Sequence, residues 1–186
     1  FTVDERENFR KCVIQPFIGA YLAGETPNPC VFCNKTIKFP EMFAFADSHG
    51  AELCATGHYA RTEKCGDSFV LKKALDPAKD QSYVLWNLTQ EELGRLRFPL
   101  GIYTKPQIRE IAENAGLECA HNKDSQDICF IPDGDYASFI EENSPSVPPC
   151  GNYISEDGAF SENTAAIIVR PVSYTHLRAH ETDSYL

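Results

Sequence analysis

FPEMFAFADSHGAELCATGHYAR, residues 39–61, is the stretch from which the fold can be read. Phe39, Met42, Phe43 and Ala46 recur at three- and four-residue spacing and share one face of a helix that Gly50 is placed to end. Leu53-Cys54-Ala55-Thr56 then reads as a short buried strand that runs into Gly57-His58-Tyr59-Ala60-Arg61 at its carboxyl end. Helix, turn and buried strand make an α/β unit, and sheets of that class hold ligands just beyond strand carboxyl ends. His58 and Arg61 stand at such a place. The fold class expected is α/β with a mostly parallel sheet.

Toward the amino end, Phe9, Val13, Ile14, Phe17, Ile18 and Tyr21 predict a helix from Asp4 to about Leu22, with Gly24 as its stop. Pro16 lacks the backbone donor and predicts a kink or break. Thr26-Pro27-Asn28-Pro29 predicts a rigid turn, and Cys30-Val31-Phe32-Cys33 follows it. Toward the carboxyl end, Tyr59–Thr62 and Phe69–Lys72 suggest a hairpin with a turn longer than the two-residue type. Thr89-Gln90-Glu91-Glu92 and Thr104-Lys105-Pro106-Gln107 have capping-box spacing, and the helix after the second should carry Ile108, Ile111, Ala112 and Ala115 inward and end at Gly116. A polar run, Lys123 to Asp127, leads abruptly into Ile128-Cys129-Phe130. A short helix over 135–142 precedes a serine- and proline-rich linker near 143–151, where a domain boundary is expected. Tyr153-Ile154, Asp157-Gly158 and the residues 165–169 would begin a β domain.

The 186 residues suit one well-buried domain, or one with part of a second. Apolar residues make 42% and charged residues 24%; no apolar run is long enough for a membrane span and no secretion signal is recognisable, so a cytoplasmic, membrane-free setting is expected. A formal net charge of -10 argues against a nucleic-acid binder, although a whole-chain average hides a local basic patch. Eight cysteines in such a chain read mostly as packing residues rather than a disulfide scaffold.

Cys30-x-x-Cys33 admits three readings: a redox pair, two ligands of a metal or iron-sulfur centre, or packing. Either metal reading needs further ligands, and Cys129, after its polar run, is the best distant candidate. A nucleophilic thiol must be a thiolate, for which Lys35, Lys38, His58 and Lys123 are candidate cations. No Gly-x-Gly-x-x-Gly or Walker-type phosphate loop is visible, so a nucleotide-dependent activity requires a phosphate loop lying before Phe1.

Five stretches, taken together, resemble the bacterial tRNA-specific 2-thiouridylases, the MnmA or TrmU family. They are TPNPCVFCNKTIKF (26–39), ATGHYAR (55–61), the run around KDQSYVL (71–88), the run around FPLGIYTKPQIREIA (98–117) and KDSQDICFIPDGDY (123–136). The resemblance implies a partial Rossmann-like PP-loop ATPase domain, of the adenine nucleotide alpha hydrolase-like kind, over 1–143. A linker and the start of a small tRNA-contacting domain follow over 144–170, and 171–186 is a tail unlike the family. It implies ATP and Mg2+, with adenylation of the wobble uridine's 2-oxygen and its replacement by sulfur. The partners implied are tRNA and a persulfide donor or relay protein.

Residue by residue, the resemblance makes Cys129 the persulfide carrier and Cys33 the thiol that assists sulfur release through a disulfide. Gly57 and His58 fall near the nucleotide, and Lys79, Asp80, Gln81 and Ser82 approach the tRNA. Cys30, Asn34, Ser125, Gln126 and Asp127 support the sulfur site. Cys30 stands where many members have aspartate, which leaves open a [4Fe-4S] cluster held by Cys30, Cys33 and Cys129, as in related tRNA sulfurtransferases. The rival readings are a noncatalytic iron-sulfur or zinc-binding interaction module, and another PP-loop sulfurtransferase.

Overall fold

A computed structural model describes residues 2–122 and 128–146, together with the backbone of two strands at 151–154 and 160–164. The first helix, α1 (6–22), is built of an α turn Arg6–Phe9, a π-helical turn Arg10–Ile14 and an α segment Gln15–Leu22. The disturbance expected at Pro16 is therefore a widened turn rather than a break. A proline has no N–H for the helical ladder, and a π turn just before it absorbs the mismatch. The second helix, α2 (29–48), repeats the device, with π turn Asn34–Lys38 two residues before Pro40. Pro29 opens α2 at a position where a missing N–H is harmless, so the expected turn ends at Asn28 and Cys30 and Cys33 lie in the helix's first turn.

Both helices stop as anticipated. Gly24 and Gly50 have φ of +79° and +68°, which glycine adopts without a Cβ clash. The next amide reaches back five residues, Glu25 N to the Ala20 carbonyl at 2.8 Å and Ala51 N to that of Ala46 at 2.9 Å.

Strand β1 (Cys54–Ala55) pairs in parallel with β4 (Leu96–Arg97). Between them lies the antiparallel hairpin β2 (Ala60–Cys65) and β3 (Ser68–Lys73), followed by a 3-10 turn Ser82–Val84 and helix α3 (Gln90–Arg95). The hairpin loop is tighter than expected: Cys65 pairs with Ser68 across Gly66-Asp67 alone, and Gly66 at φ +61° supplies the left-handed residue that a two-residue turn needs. At its root β2 lies directly on Gly101, where a Cβ would come within 1.6 Å of the Ala60 carbonyl oxygen.

Both predicted capping boxes form. Thr89 Oγ1 accepts from Glu92 N while Glu92 accepts from Thr89 N at 2.7 Å; Gln107 Oε1 accepts from Thr104 N at 2.8 Å. Helix α4 (Lys105–Asn114) nevertheless buries no residue, and Ile111 is 49% exposed, against the expectation that its apolar face packs inward. Leu53 likewise is 51% exposed, because the pleat turns only Cys54 of the β1 segment into the core.

Helix α5 (Tyr136–Asn143) forms where expected, its first turn capped by Asp135 Oδ1 accepting from Ser138 N at 3.1 Å. Beyond it β5 (Gly151–Ile154) pairs with β6 (Phe160–Thr164) antiparallel; the residues 165–169 and the Asp157-Gly158 pair lie outside the described residues.

The chain divides into two compact units, Phe1–Cys12 with Cys30–Gln126, and Val13–Pro29 with Asp127–Leu186. The first has a core of Phe39, Ala46, Cys54, Ala60, Val84, Leu85, Leu96 and Phe98. The second centres on Phe17, Ile18, Ile131 and Ile140, with Phe130 edge-on to Phe17 at 5.3 Å. Among the described residues no helix is long and apolar enough to cross a membrane.

Candidate functional site

Cys33 is 7% exposed and Cys30 is exposed, three residues apart in the first turn of α2. That turn is pinned by amides on either side of the cysteine. Asn34, 1% exposed, donates through Nδ2 to the Val84 carbonyl at 3.1 Å, and Asn87 donates to the Val31 carbonyl at 3.5 Å. The Oδ1 atoms of both asparagines are buried and find no hydrogen-bond partner among the described residues. Asn34 thus tethers the turn that carries Cys33, and Asn87 adds a second tether that no sequence signal marks, since an amide more than fifty residues away cannot be paired by spacing.

The β1 carboxyl end forms a second part of the same unit. Thr56 N donates to the Arg97 carbonyl at 3.0 Å, and Thr56 Oγ1 lies 2.8 Å from His58 Nδ1. The imidazole is packed near the rings of Phe39 and Phe98, at centroid distances of 5.9 and 6.2 Å. Burial first, and the charge of Lys38 second, push its pKa from the ordinary 6.5 down to about 4. His58 is therefore neutral near pH 7 and does not supply the positive charge considered for thiolate stabilisation. A Cβ at Gly57 would make only an ordinary 3.6 Å contact with Leu100, so packing does not demand glycine there.

Gln81 joins the next segment to this end of β1. Its Oε1 accepts from Tyr59 N at 3.0 Å and its own N–H donates to the Tyr59 carbonyl at 2.8 Å. Asp80 accepts from Ala74 N at 2.8 Å, from Ser82 N at 3.4 Å and from the Ser82 hydroxyl at 2.7 Å. Burial works to raise the Asp80 pKa, but the hydrogen bonds from Ala74 and Ser82, with the charge of Lys73, outweigh it and hold the carboxyl below its usual range. These bonds of Asp80, Gln81 and Ser82 run to the protein's own frame, with half-buried Lys79 beside them.

Cys129 belongs to the second unit and is exposed, in a turn closed by Ile131 N donating to the Ile128 carbonyl at 2.9 Å. Ile131 is 1% exposed, and Ile128 and Phe130 pack against the same core. Buried neighbours thus hold out an exposed thiol. Ser125, Gln126 and Asp127, with Lys123, lie outside the described residues. Among the described residues no three His, Cys, Asp or Glu side chains gather as a metal-ion site. Gly57 and the neutral His58, flanked by Phe39 and Phe98, are thus uncharged groups at the β1 carboxyl end.

The family described as tRNA methyl transferase HUP domain matches residues 1–133, a span holding Cys33, the β1 end, the 79–82 segment and Cys129. The chain belongs to this family. Its α/β architecture, with a parallel strand pair and flanking helices, is that of a partial Rossmann-like domain. The chain is similar to a tRNA-specific 2-thiouridylase MnmA of Zymomonas mobilis, 46% identical over 158 residues, covering 85% of this chain and 43% of the relative. It is also similar to a tRNA-specific 2-thiouridylase MnmA 2 of Clostridium botulinum strain Hall, 48% over 156 residues (84% and 44%), and to an MnmA of Geobacter metallireducens, 46% over 159 residues (85% and 43%). These similarities bear out the motif-level resemblance. The chain spans less than half the length of these relatives.

Proposed function

We propose that this chain is part of a cytoplasmic tRNA-uridine 2-sulfurtransferase. The observation that carries the reading is a contrasting pair of cysteines within the family-matched span: Cys33, buried and tethered at a helix start, and Cys129, exposed on a turn with a packed base. A thiol that takes sulfur from a donor protein must be reachable; a thiol that acts once, on a sulfur already delivered, benefits from being held.

When bound, ATP supplies the adenylyl group that turns the uridine 2-oxygen into a leaving group, and Mg2+ neutralises the pyrophosphate. Cys129 accepts the outer sulfur of the donor's persulfide as Cys129–S–S⁻. That terminal sulfur forms a bond to uridine C2 as the C2–O bond breaks and AMP departs with the oxygen. The Cys33 thiolate then attacks Cys129 Sγ; the bond between Sγ and the transferred sulfur breaks, leaving 2-thiouridine and a Cys33–Cys129 disulfide that a thiol reductant reopens. Lys79, with Asp80, Gln81 and Ser82, would approach the tRNA, while Ser125, Gln126 and Asp127 would orient the Cys129 loop. The limits 1–143, 144–170 and 171–186 for catalytic part, linker and tail belong to the same reading.

The test uses the complete parent enzyme carrying this segment. Cys129→Ser should reduce donor-dependent thiolation below about one-hundredth of wild type while adenylation of tRNA persists, since a hydroxyl cannot hold a persulfide. Cys33→Ser should retain a labelled persulfide on Cys129 yet fail to release it. Thiolation by the Cys129→Ser enzyme with a persulfide donor and no free sulfide would overturn the assignment. Loss of bound iron together with activity in Cys30→Asp would establish the cluster in its place.

A further inference from the structure

The hairpin and the β4 end enclose a cleft of about 440 Å³ that the sulfur chemistry does not use. Its apolar part is Phe98, Pro99 and Ile102, and its cations are Arg61, Lys72 and Arg97, with Glu63 as the acid among its lining residues. Arg61 and Lys72 are direct cross-strand partners, so two positive charges face the same side of the sheet at adjacent positions. Like charges directly opposite one another weaken a strand pair. The Glu63 carboxylate engages Lys72, which leaves the two guanidinium groups as the cleft's excess charge.

Both guanidiniums are held before any ligand arrives. Arg61 Nε donates to the Lys73 carbonyl at 2.8 Å, and its stem runs over Gly101, whose Cβ would lie 3.0 Å from Arg61 Cγ. One Arg97 nitrogen donates to the carbonyls of Gly94 at 2.9 Å and Leu96 at 2.8 Å. Each group keeps further N–H donors beyond these bonds, in the planar fork that matches phosphate oxygens. A chain of net charge -10 that nonetheless places two anchored arginines and a lysine around one apolar-floored cleft has concentrated its positive charge locally.

We propose that this cleft is a docking surface for the sugar-phosphate backbone of the substrate tRNA, with Arg61 and Arg97 as its phosphate ligands. The inference rests on the thiouridylase reading for the identity of the RNA. Strand β3 ends at Lys73, and Asp80 holds the amide of Ala74 that follows, so Lys72 of the cleft lies two residues from a contact of the segment expected to approach the tRNA. Guanidinium to phosphate gives register without sequence preference, and Pro99 and Ile102 offer an apolar surface to ribose or a base.

The test is binding of an unmodified tRNA transcript by the complete parent enzyme, measured between about 50 and 200 mM salt. Arg61→Gln with Arg97→Gln should weaken binding by the order of tenfold at the low end. The double variant should also flatten the slope of log affinity against log salt by about 1 for each phosphate that is no longer bound. The exposed Lys64→Gln serves as the control. The double variant relieves the Arg61–Lys72 pairing but also gives up the bonds to the Lys73, Gly94 and Leu96 carbonyls, so binding is compared at a temperature well below the measured melting point of both proteins, which separates a docking defect from a folding defect. In turnover, KM for tRNA should rise while kcat and persulfide loading on Cys129 stay unchanged. Unchanged affinity and salt slope in an enzyme that still thiolates tRNA would overturn the docking surface and spare the activity. Loss of donor-dependent loading with tRNA affinity intact would also overturn it, assigning the cleft to an acidic protein partner. An enzyme that binds tRNA through this cleft and thiolates no uridine would instead refute the activity.

Discussion

His58 illustrates how one side chain's chemistry is set by its surroundings. With its pKa lowered from 6.5 to about 4 by burial and by Lys38, the unfolded chain binds a proton on this residue more readily than the folded one. Its contribution to stability is thus complete above about pH 6.5 and is lost as the pH falls through the window down to about 4. Urea midpoints of wild type and His58→Gln, compared across that window, should converge as the pH drops; parallel curves would mean the imidazole is not held neutral. That histidine stood near a ligand site was legible from its place after a short strand. Its neutrality was not, because no spacing rule reveals that Phe39 and Phe98 pack beside it and partly bury it. Asn34 makes the same point: its neighbour Cys33 drew attention, but the Val84 carbonyl that fixes it arrives from fifty positions along the chain.

At the scale of elements, glycine separates two kinds of position. Gly19 lies exposed inside the last α segment of α1 with nothing within 4 Å of a built Cβ. Gly19→Ala should therefore stabilise by roughly 0.5–1 kcal/mol through helix propensity and a smaller unfolded-state entropy. Gly101 is the opposite case. Its added Cβ would fall 1.6 Å from a backbone oxygen at the hairpin root, and backbone cannot step aside as a flexible side chain can. Gly101→Ala should cost several kcal/mol or abolish folding, detected as a large drop in melting temperature beside the small rise for Gly19→Ala. Equal melting temperatures for the two variants would contradict the packing of β2 on the 3-10 turn Pro99–Ile102.

For the whole molecule, the expected linker near 143–151 gives a test of where the first part ends. Ile140 on α5 is fully buried with Phe17, Ile18 and Ile131, so removing α5 would open that core, whereas the serines and prolines after Asn143 carry no apolar pattern. Limited proteolysis should first cut between 144 and 151 and leave a stable piece ending near 143, identified by intact mass; a first cut before Ile140 would place the boundary elsewhere. Cap motifs, helix-ending glycines, the α/β order and the cysteine-bearing stretches could all be read along the chain, because each acts within a few residues and carries its own steric or hydrogen-bonding cause. The exposure of Ile111 and Leu53, the Asn34 and Asn87 tethers and the basic cleft within an acidic chain were decided by tertiary structure. Each depends on which distant segment reaches a given surface, and burial, charge proximity and partner choice are properties of that meeting rather than of the residues alone.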